Sequence, residues 1–316
     1  MKRVIVTGAS SMLGVALIER LLREDIEVIY AVIRPQSQNK KRRRIPINER
    51  VKIVECELIK YYDLVNLIDE ECDTFYHMAW PRTGTYREDL SDILLKCDAI
   101  KGVAYAVDVA GKLGCNKFIG VGSQSEYGVP KDGYYSTDMP CHPVRVDGTL
   151  HMAAGETARI MSEERGIRCF WVRVFSVYGV YDRDNSMISS TINKLLSKEH
   201  CSFTKSEQIW DFVNVDDVAE AFYLIGDKAK KGAVYNMASG TSRPLKEYLE
   251  IIRDIVDPNA ILGIGELEYP QDPIMKMMVD ISPLTRDIGW KPNISFEQGI
   301  REIYDYRAKK KSNENG

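Results

Sequence analysis

The 316-residue chain contains no CxxC pair: its seven cysteines stand at 56, 72, 97, 115, 141, 169 and 201, without the spacing of a metal finger. With only four histidines beside them, no metal site is expected. The scattered thiols read as reduced core and surface residues, which points to the cytoplasm. Long apolar runs are absent as well. None nears the ~20 residues needed to cross a bilayer. The first apolar stretch is broken by Thr7-Gly8, unlike a secretory leader. No membrane association is therefore expected. Positive charge is not in excess either: 43 Lys and Arg against 46 Asp and Glu leave a net charge of −3, no general reason to expect nucleic acid.

What is present is a chain with 44% hydrophobic residues, long enough to bury a sizeable core as one large α/β unit or two closely joined lobes. Short β-branched runs at 4–6, 27–33, 52–56, 74–77, 117–121 and 169–174 predict strands. Segments 14–23, 62–70, 90–113 and 149–165 carry apolar residues at helical spacing. Parallel strands need crossovers, so this alternation predicts an α/β fold, a doubly wound parallel sheet (Rossmann fold). From about residue 176 the rhythm loosens and prolines and glycines punctuate short elements. The expected division is a dinucleotide-binding domain over 1–175 and a smaller C-terminal substrate-binding lobe over 176–306, interleaved with it. The polar tail 307–316 is expected to be frayed.

In Thr7-Gly8-Ala9-Ser10-Ser11-Met12-Leu13-Gly14, Gly8 permits a tight turn after the first strand and Gly14 lets the following helix pack close to the sheet. The N–H groups at the start of that helix can face a pyrophosphate. The second strand ends in Ile33-Arg34-Pro35. An acidic residue there suits the ribose hydroxyls of NAD, whereas an arginine suits a 2′-phosphate. Arg34 therefore favours NADP over NAD. The basic run Lys40–Arg44 adds charge nearby, although charge runs are usually solvated.

Further segments follow in order: His77-Met78-Ala79-Trp80, Gly122-Ser123-Gln124-Ser125-Glu126-Tyr127-Gly128, Trp171 to Gly179, Asp211 to Ala219 and Gly289-Trp290-Lys291-Pro292. Together with the glycine turn they resemble the extended short-chain dehydrogenases/reductases of the NAD(P)-dependent nucleotide-sugar epimerase/dehydratase group, over residues 1–306. The family pattern is TGxxGxxG, so Ser11 stands where a glycine is usual. The resemblance implies cofactor contacts from Gly8, Ser10, Ser11, Met12, Leu13 and Gly14. It places Glu57 and Leu58 beside the adenine, and backbone of Met78, Ala79 and Trp80 along the dinucleotide. Val121 and Val174 would line the cofactor further on. Ser123 matches the residue that hydrogen-bonds the reacting sugar oxygen. Gln124, Ser125, Tyr127 and Ser176 would complete the substrate side, with Gln124-Ser125 replacing the carboxylates of the 4,6-dehydratases.

The decisive departure lies in Thr137 to His151. The family reads roughly E-x-x-P-x-x-P-x-x-x-Y-G-x-S-K, and Pro140, Pro143 and Gly148 keep that register without a gap. Asp147 therefore stands for the catalytic tyrosine and His151 for the lysine. Aspartate ionises near ~3.9 and tyrosine near ~10, so Asp147 is a poor neutral-pH acid. Histidine titrates near neutrality and can act as acid, base or ribose contact. Four residues apart on a helix, the two can meet, as a proton relay with Ser123 or as a structural pair. Tyr134, Tyr135, Cys141, His142 and Tyr178 are other proton donors that read more simply as wall residues. Two functions remain open. One is an enzyme acting on a nucleotide-diphosphate sugar, most simply a keto-sugar reductase or epimerase. The other is an inactive NADP-binding sensor or partner protein. A homodimer through helices 90–113 and 149–165 is the expected assembly.

Overall fold

Val4, Ile5 and Val6 are all fully buried, although successive side chains of a strand point to opposite faces. A strand apolar on both faces belongs inside a parallel sheet covered on both sides. The computed structural model, which describes residues 1–35, 39–81 and 90–314, places it there. Strands β1 (Arg3–Thr7), β2 (Val28–Ile33), β3 (Val51–Glu55), β4 (Thr74–His77), β5 (Lys117–Ser123), β6 (Arg168–Val174) and β7 (Ala233–Met237) form one sheet. Their order is β7-β6-β5-β4-β1-β2-β3, with every pairing parallel. This is the expected doubly wound Rossmann fold. The order reverses between β1 and β4, where Thr7 lies opposite His77. Ligands of such folds bind in the crevice at that switch point.

The helices of ten residues or more are α1 (Met12–Leu21), α2 (Leu90–Lys112), α3 (Val146–Glu164), α4 (Met187–Leu196), α5 (Val215–Lys228), α6 (Leu245–Val256) and α7 (Phe296–Glu314). Val4, Val6, Ile119 and Phe170 meet Leu17, Ile18, Val218 and Phe222 of α1 and α5 on one face of the sheet. Ile5, Val32, Phe75 and Phe118 meet Val103, Val107, Ala154 and Ala158 of α2 and α3 on the other. Burying each such large apolar side chain contributes about 1.5–3 kcal/mol. Tyr178, Ile192, Tyr248, Ile252 and Ile300 build a separate core among α4, α6 and α7. Residues 215–237, which form α5 and β7, return to the main sheet, so the chain crosses between the two cores more than once.

Two expectations change. The helix predicted over 62–70 is a 3-10 turn, Leu58–Asp63, and one helical turn, Leu64–Leu67, ending at an extended Ile68. Asp69, Glu70 and Glu71 follow directly, and negative charge at a helix C-terminus opposes its dipole. The tail is not frayed at 307: α7 runs on to Glu314. Arg307 is buried and donates to Asp184 at 3.0 Å, Asn193 at 2.7 Å and Ser189 at 2.9 Å. Lys311 donates to the Leu196 carbonyl at 2.9 Å, capping the end of α4. Asn315 and Gly316 lie outside the described residues.

Candidate functional site at the carboxyl ends of the strands

Gly8 has φ +63°, and a Cβ there would stand 2.7 Å from the Met78 carbonyl oxygen. A Cβ on Gly14 would stand 2.4 Å from the Gly8 oxygen. Both glycines are required for β1, α1 and the end of β4 to approach this closely. Ser11 is the N-cap of α1, its Oγ accepting from the Gly14 N–H at 3.0 Å. The hydroxyl's own proton is left to donate outward. Met12 and Leu13 turn their side chains onto the cluster of Ala16, Val215 and Ala219. Their backbone N–H groups belong to the first helical turn, which has no intrahelical acceptors.

Arg34 is exposed just beyond β2. In the basic run, Arg42 pairs with Glu55 and the Arg44 guanidinium lies over the Tyr181 ring at 4.7 Å. The side chain of Lys40 lies outside the described ones. Glu57 stands at the N-cap position of the turn after β3, its side chain making no capping hydrogen bond. Leu58 packs onto α2, so close that a Cβ on Gly102 would stand 2.4 Å from its Cδ1. His77 is fully buried behind the crevice, its Nδ1 3.2 Å from Thr7 Oγ1. Burial pushes its pKa down to about 3.

The turn after β5 is held by a capping box. Ser123 Oγ accepts from Ser125 N at 3.2 Å and Ser125 Oγ at 2.8 Å. Glu126 accepts from Ser123 N at 2.8 Å, Trp171 Nε1 at 3.0 Å and Arg173 Nε at 2.7 Å. Both lone pairs of the Ser123 hydroxyl are thus engaged, and what it can offer a ligand is its proton. A Cβ on Gly148 would stand 2.2 Å from the Ser125 carbonyl oxygen, so only glycine lets α3 begin against this turn.

Tyr127 and Ser176 each have a partner within the protein. Tyr127 is buried, donates to Asn236 Oδ1 at 2.7 Å and carries Arg173 over its ring at 4.5 Å; desolvation raises its pKa. Ser176 Oγ accepts from Trp210 Nε1 at 2.9 Å. Tyr135 and Tyr178 are buried too. Val121 and Val174 are half-buried on neighbouring strands, where Val174 pairs with Ser123.

Asp147 and His151 do meet. His151 Nε2 stands 3.8 Å from Asp147 Oδ2, longer than a hydrogen bond. The imidazole stacks on Trp80, and burial pushes its pKa down to about 4, with Lys96 adding to that and Asp147 opposing it. Lys96 is the residue that sequence reasoning missed. It reaches from α2 to 3.7 Å from Asp147 Oδ1 and is itself buried. It occupies the inward stripe of α2 that Ala99, Val103 and Ala106 continue, and a lysine on an apolar stripe was the available clue. Three buried polar atoms here have no partner among the described residues: His151 Nδ1, Trp80 Nε1 and Gln124 Oε1. Trp80 follows β4, Gln124 follows β5, and His151 lies in α3. With the helix N-terminus at α1, they make the crevice fit a large polar ligand such as a dinucleotide.

A family model described as the NAD dependent epimerase/dehydratase family matches residues 4–238. The chain belongs to this family. Its relatives include the CDP-abequose synthase of Salmonella muenchen, 30% identical over 151 residues, 47% of this chain and 51% of the synthase. The chain thus matches about half the length of that relative. UDP-glucuronic acid 4-epimerase from Bacillus cereus, solved with NAD, superposes with a TM-score of 0.83 at 20% identity, covering 97% of this chain and 99% of the epimerase. RMD from Pseudomonas aeruginosa, solved with NADPH, superposes with a TM-score of 0.78 at 22% identity, covering 97% and 99%. Membership of an NAD-dependent family supports a pyridine-nucleotide cofactor. No helix among the described residues is long and apolar enough to cross a membrane. Nor do those residues group three or more His, Cys, Asp or Glu as a metal would need.

Proposed function

We propose that this family member is an NADP-dependent enzyme of the cytoplasm acting on a nucleotide-diphosphate sugar, most simply as a keto-sugar reductase. The observation that carries the reading is the Ser123 hydroxyl, whose oxygen already accepts two hydrogen bonds. Such a hydroxyl donates to a carbonyl oxygen better than it accepts from an alcohol. Bound cofactor would supply the hydride for the carbonyl carbon. Ser123 would hold the oxygen that becomes the hydroxyl, and its proton would come from solvent, with His151 orienting a water or a sugar hydroxyl. Losing a tyrosine acid costs about 10²–10⁴-fold, which slows turnover without abolishing it. Epimerisation needs the same hydride step in both directions, and Ser123 suits its keto intermediate equally.

Arg34 supports NADP by its exposed place at the end of β2, and RMD is a structural neighbour solved with NADPH. The seven free cysteines fit a reducing compartment. Leu90 and Leu94 of α2 and Ile160 of α3 are exposed apolar side chains on the two helices that a homodimer would use.

One observation favours a second reading, a cofactor-binding sensor or partner protein without catalysis. A histidine with its pKa pushed to about 4 carries no acidic proton near neutrality. The separating experiment adds NADPH to the chain with a panel of keto and hydroxyl nucleotide sugars and follows nicotinamide absorbance. Oxidation of NADPH by a keto sugar, abolished in Ser123→Ala, supports the reductase. Binding of NADPH with no hydride exchange toward any sugar sinks the enzyme and leaves the sensor.

A further inference from the structure

We propose that Lys96 is the positioning cation of this site, supplied from α2 where α3 carries a histidine: it holds Asp147 beside His151 Nε2 and leaves His151 Nδ1 as the open acceptor. Lysine is almost never buried unless paired, and Lys96 is 5% exposed. Its Nζ faces one oxygen of Asp147 at 3.7 Å while the other oxygen faces the imidazole at 3.8 Å, so the three groups form a chain across two helices. Asp147 and Lys96 are the charged groups acting on His151 among the described residues. A neutral imidazole carries one N–H. The negative Asp147 oxygen that faces Nε2 at 3.8 Å favours the ring proton on that nitrogen. Nδ1 then bears a lone pair, is buried and has no partner among the described residues. A ribose or sugar hydroxyl is the kind of donor that would complete it.

The arrangement would bring a cation to the site although position 151 holds a histidine. The ammonium comes from the neighbouring helix, faces Asp147, and adds to the lowering of the His151 pKa that burial mainly causes. Only the identity of the arriving hydroxyl rests on the function proposed above. The charge chain is a property of the free protein, so failure of the one reading is distinguishable from failure of the other.

The test uses the full chain with ¹⁵N-labelled histidine and no ligand. Its four histidines give four imidazoles, and loss of one in His151→Gln assigns it. His151 is expected as the Nε2–H tautomer near neutrality. Lys96→Met should raise the His151 titration midpoint by about one pH unit, because a repelling charge is gone and Asp147 acts alone. Lys96→Arg should restore the wild-type midpoint. A wild-type Nδ1–H tautomer, or an unchanged midpoint in folded Lys96→Met, overturns the proposal. Should that variant not fold, Asp147→Asn tests the same chain from its centre. The midpoint should then fall and the Nε2–H preference weaken, and spectra like the wild type overturn the proposal.

Discussion

The imidazole of His151 lies flat on the indole of Trp80, with ring centroids 3.6 Å apart and planes inclined by 9°. Trp80 follows β4 and His151 lies in α3, so the stack joins the end of the sheet to the helix that carries Asp147. It also shuts water from one side of the ring, and desolvation is the main cause of the depressed pKa. Trp80→Ala should therefore bring the His151 midpoint up from about 4 toward the ordinary ~6.5. Histidine NMR titration measures this directly. A midpoint that stays put would assign the desolvation to other neighbours.

Stability should fall with acid, and the sign follows from the direction of the shift. The folded-state pKa of His151 is about 4, below the unfolded value of ~6.5. The unfolded chain therefore takes the proton first, and stability is lost as pH falls from ~6.5 toward ~4, the loss being complete below that. His77, at about 3, acts in the same direction and extends the window lower. Between neutrality and about pH 5 the His151 share is roughly 2 kcal/mol. Urea unfolding at both pH values should show His151→Gln losing less stability than the wild type. Equal losses would mean that the imidazole is protonated without penalty.

Glu126 is 1% exposed and accepts three hydrogen bonds, from Ser123, Trp171 and Arg173. Glu126→Gln should strand the Arg173 guanidinium in a buried position and cost roughly 3–5 kcal/mol. Adding Arg173→Met should recover part of that stability, since the unpaired charge is then gone. Turnover should fall little in either variant, because the glutamine oxygen can still accept from the Ser123 N–H. Parallel urea melts and NADPH oxidation assays separate the two effects.

Arg34→Ala should weaken NADP binding by about tenfold or more, the value of one charge-assisted contact, and leave NAD nearly unchanged. Fluorescence titration with both cofactors compares them. An equal effect on both removes the 2′-phosphate role from Arg34.

The sheet was legible because its strands announce themselves. The segment 74–77 emerges with the expected bounds, Thr74–His77, its four residues all buried. The ungapped Pro140–His151 register placed Asp147 and His151 on one helix face, and they do face each other. Lys96 was not legible, because helical periodicity says that a side chain turns inward without saying what awaits it there. The commitment of Tyr127 to Asn236 was hidden for a related reason. Its partner lies 109 residues away on β7, and local sequence carries no trace of that pairing. The tail misled because its polar composition suits solvent, whereas Arg307 reaches back across more than a hundred residues to α4.

Strand β7 pairs with β6 although 58 residues separate Val174 from Ala233. A fragment ending near residue 175 would leave β6, with its fully buried Phe170 and Val172, as a bare sheet margin. Open backbone donors and acceptors beside apolar side chains template the addition of foreign strands. The first half of the chain, made alone, should therefore precipitate or recruit other chains rather than behave as a free-standing nucleotide-binding module.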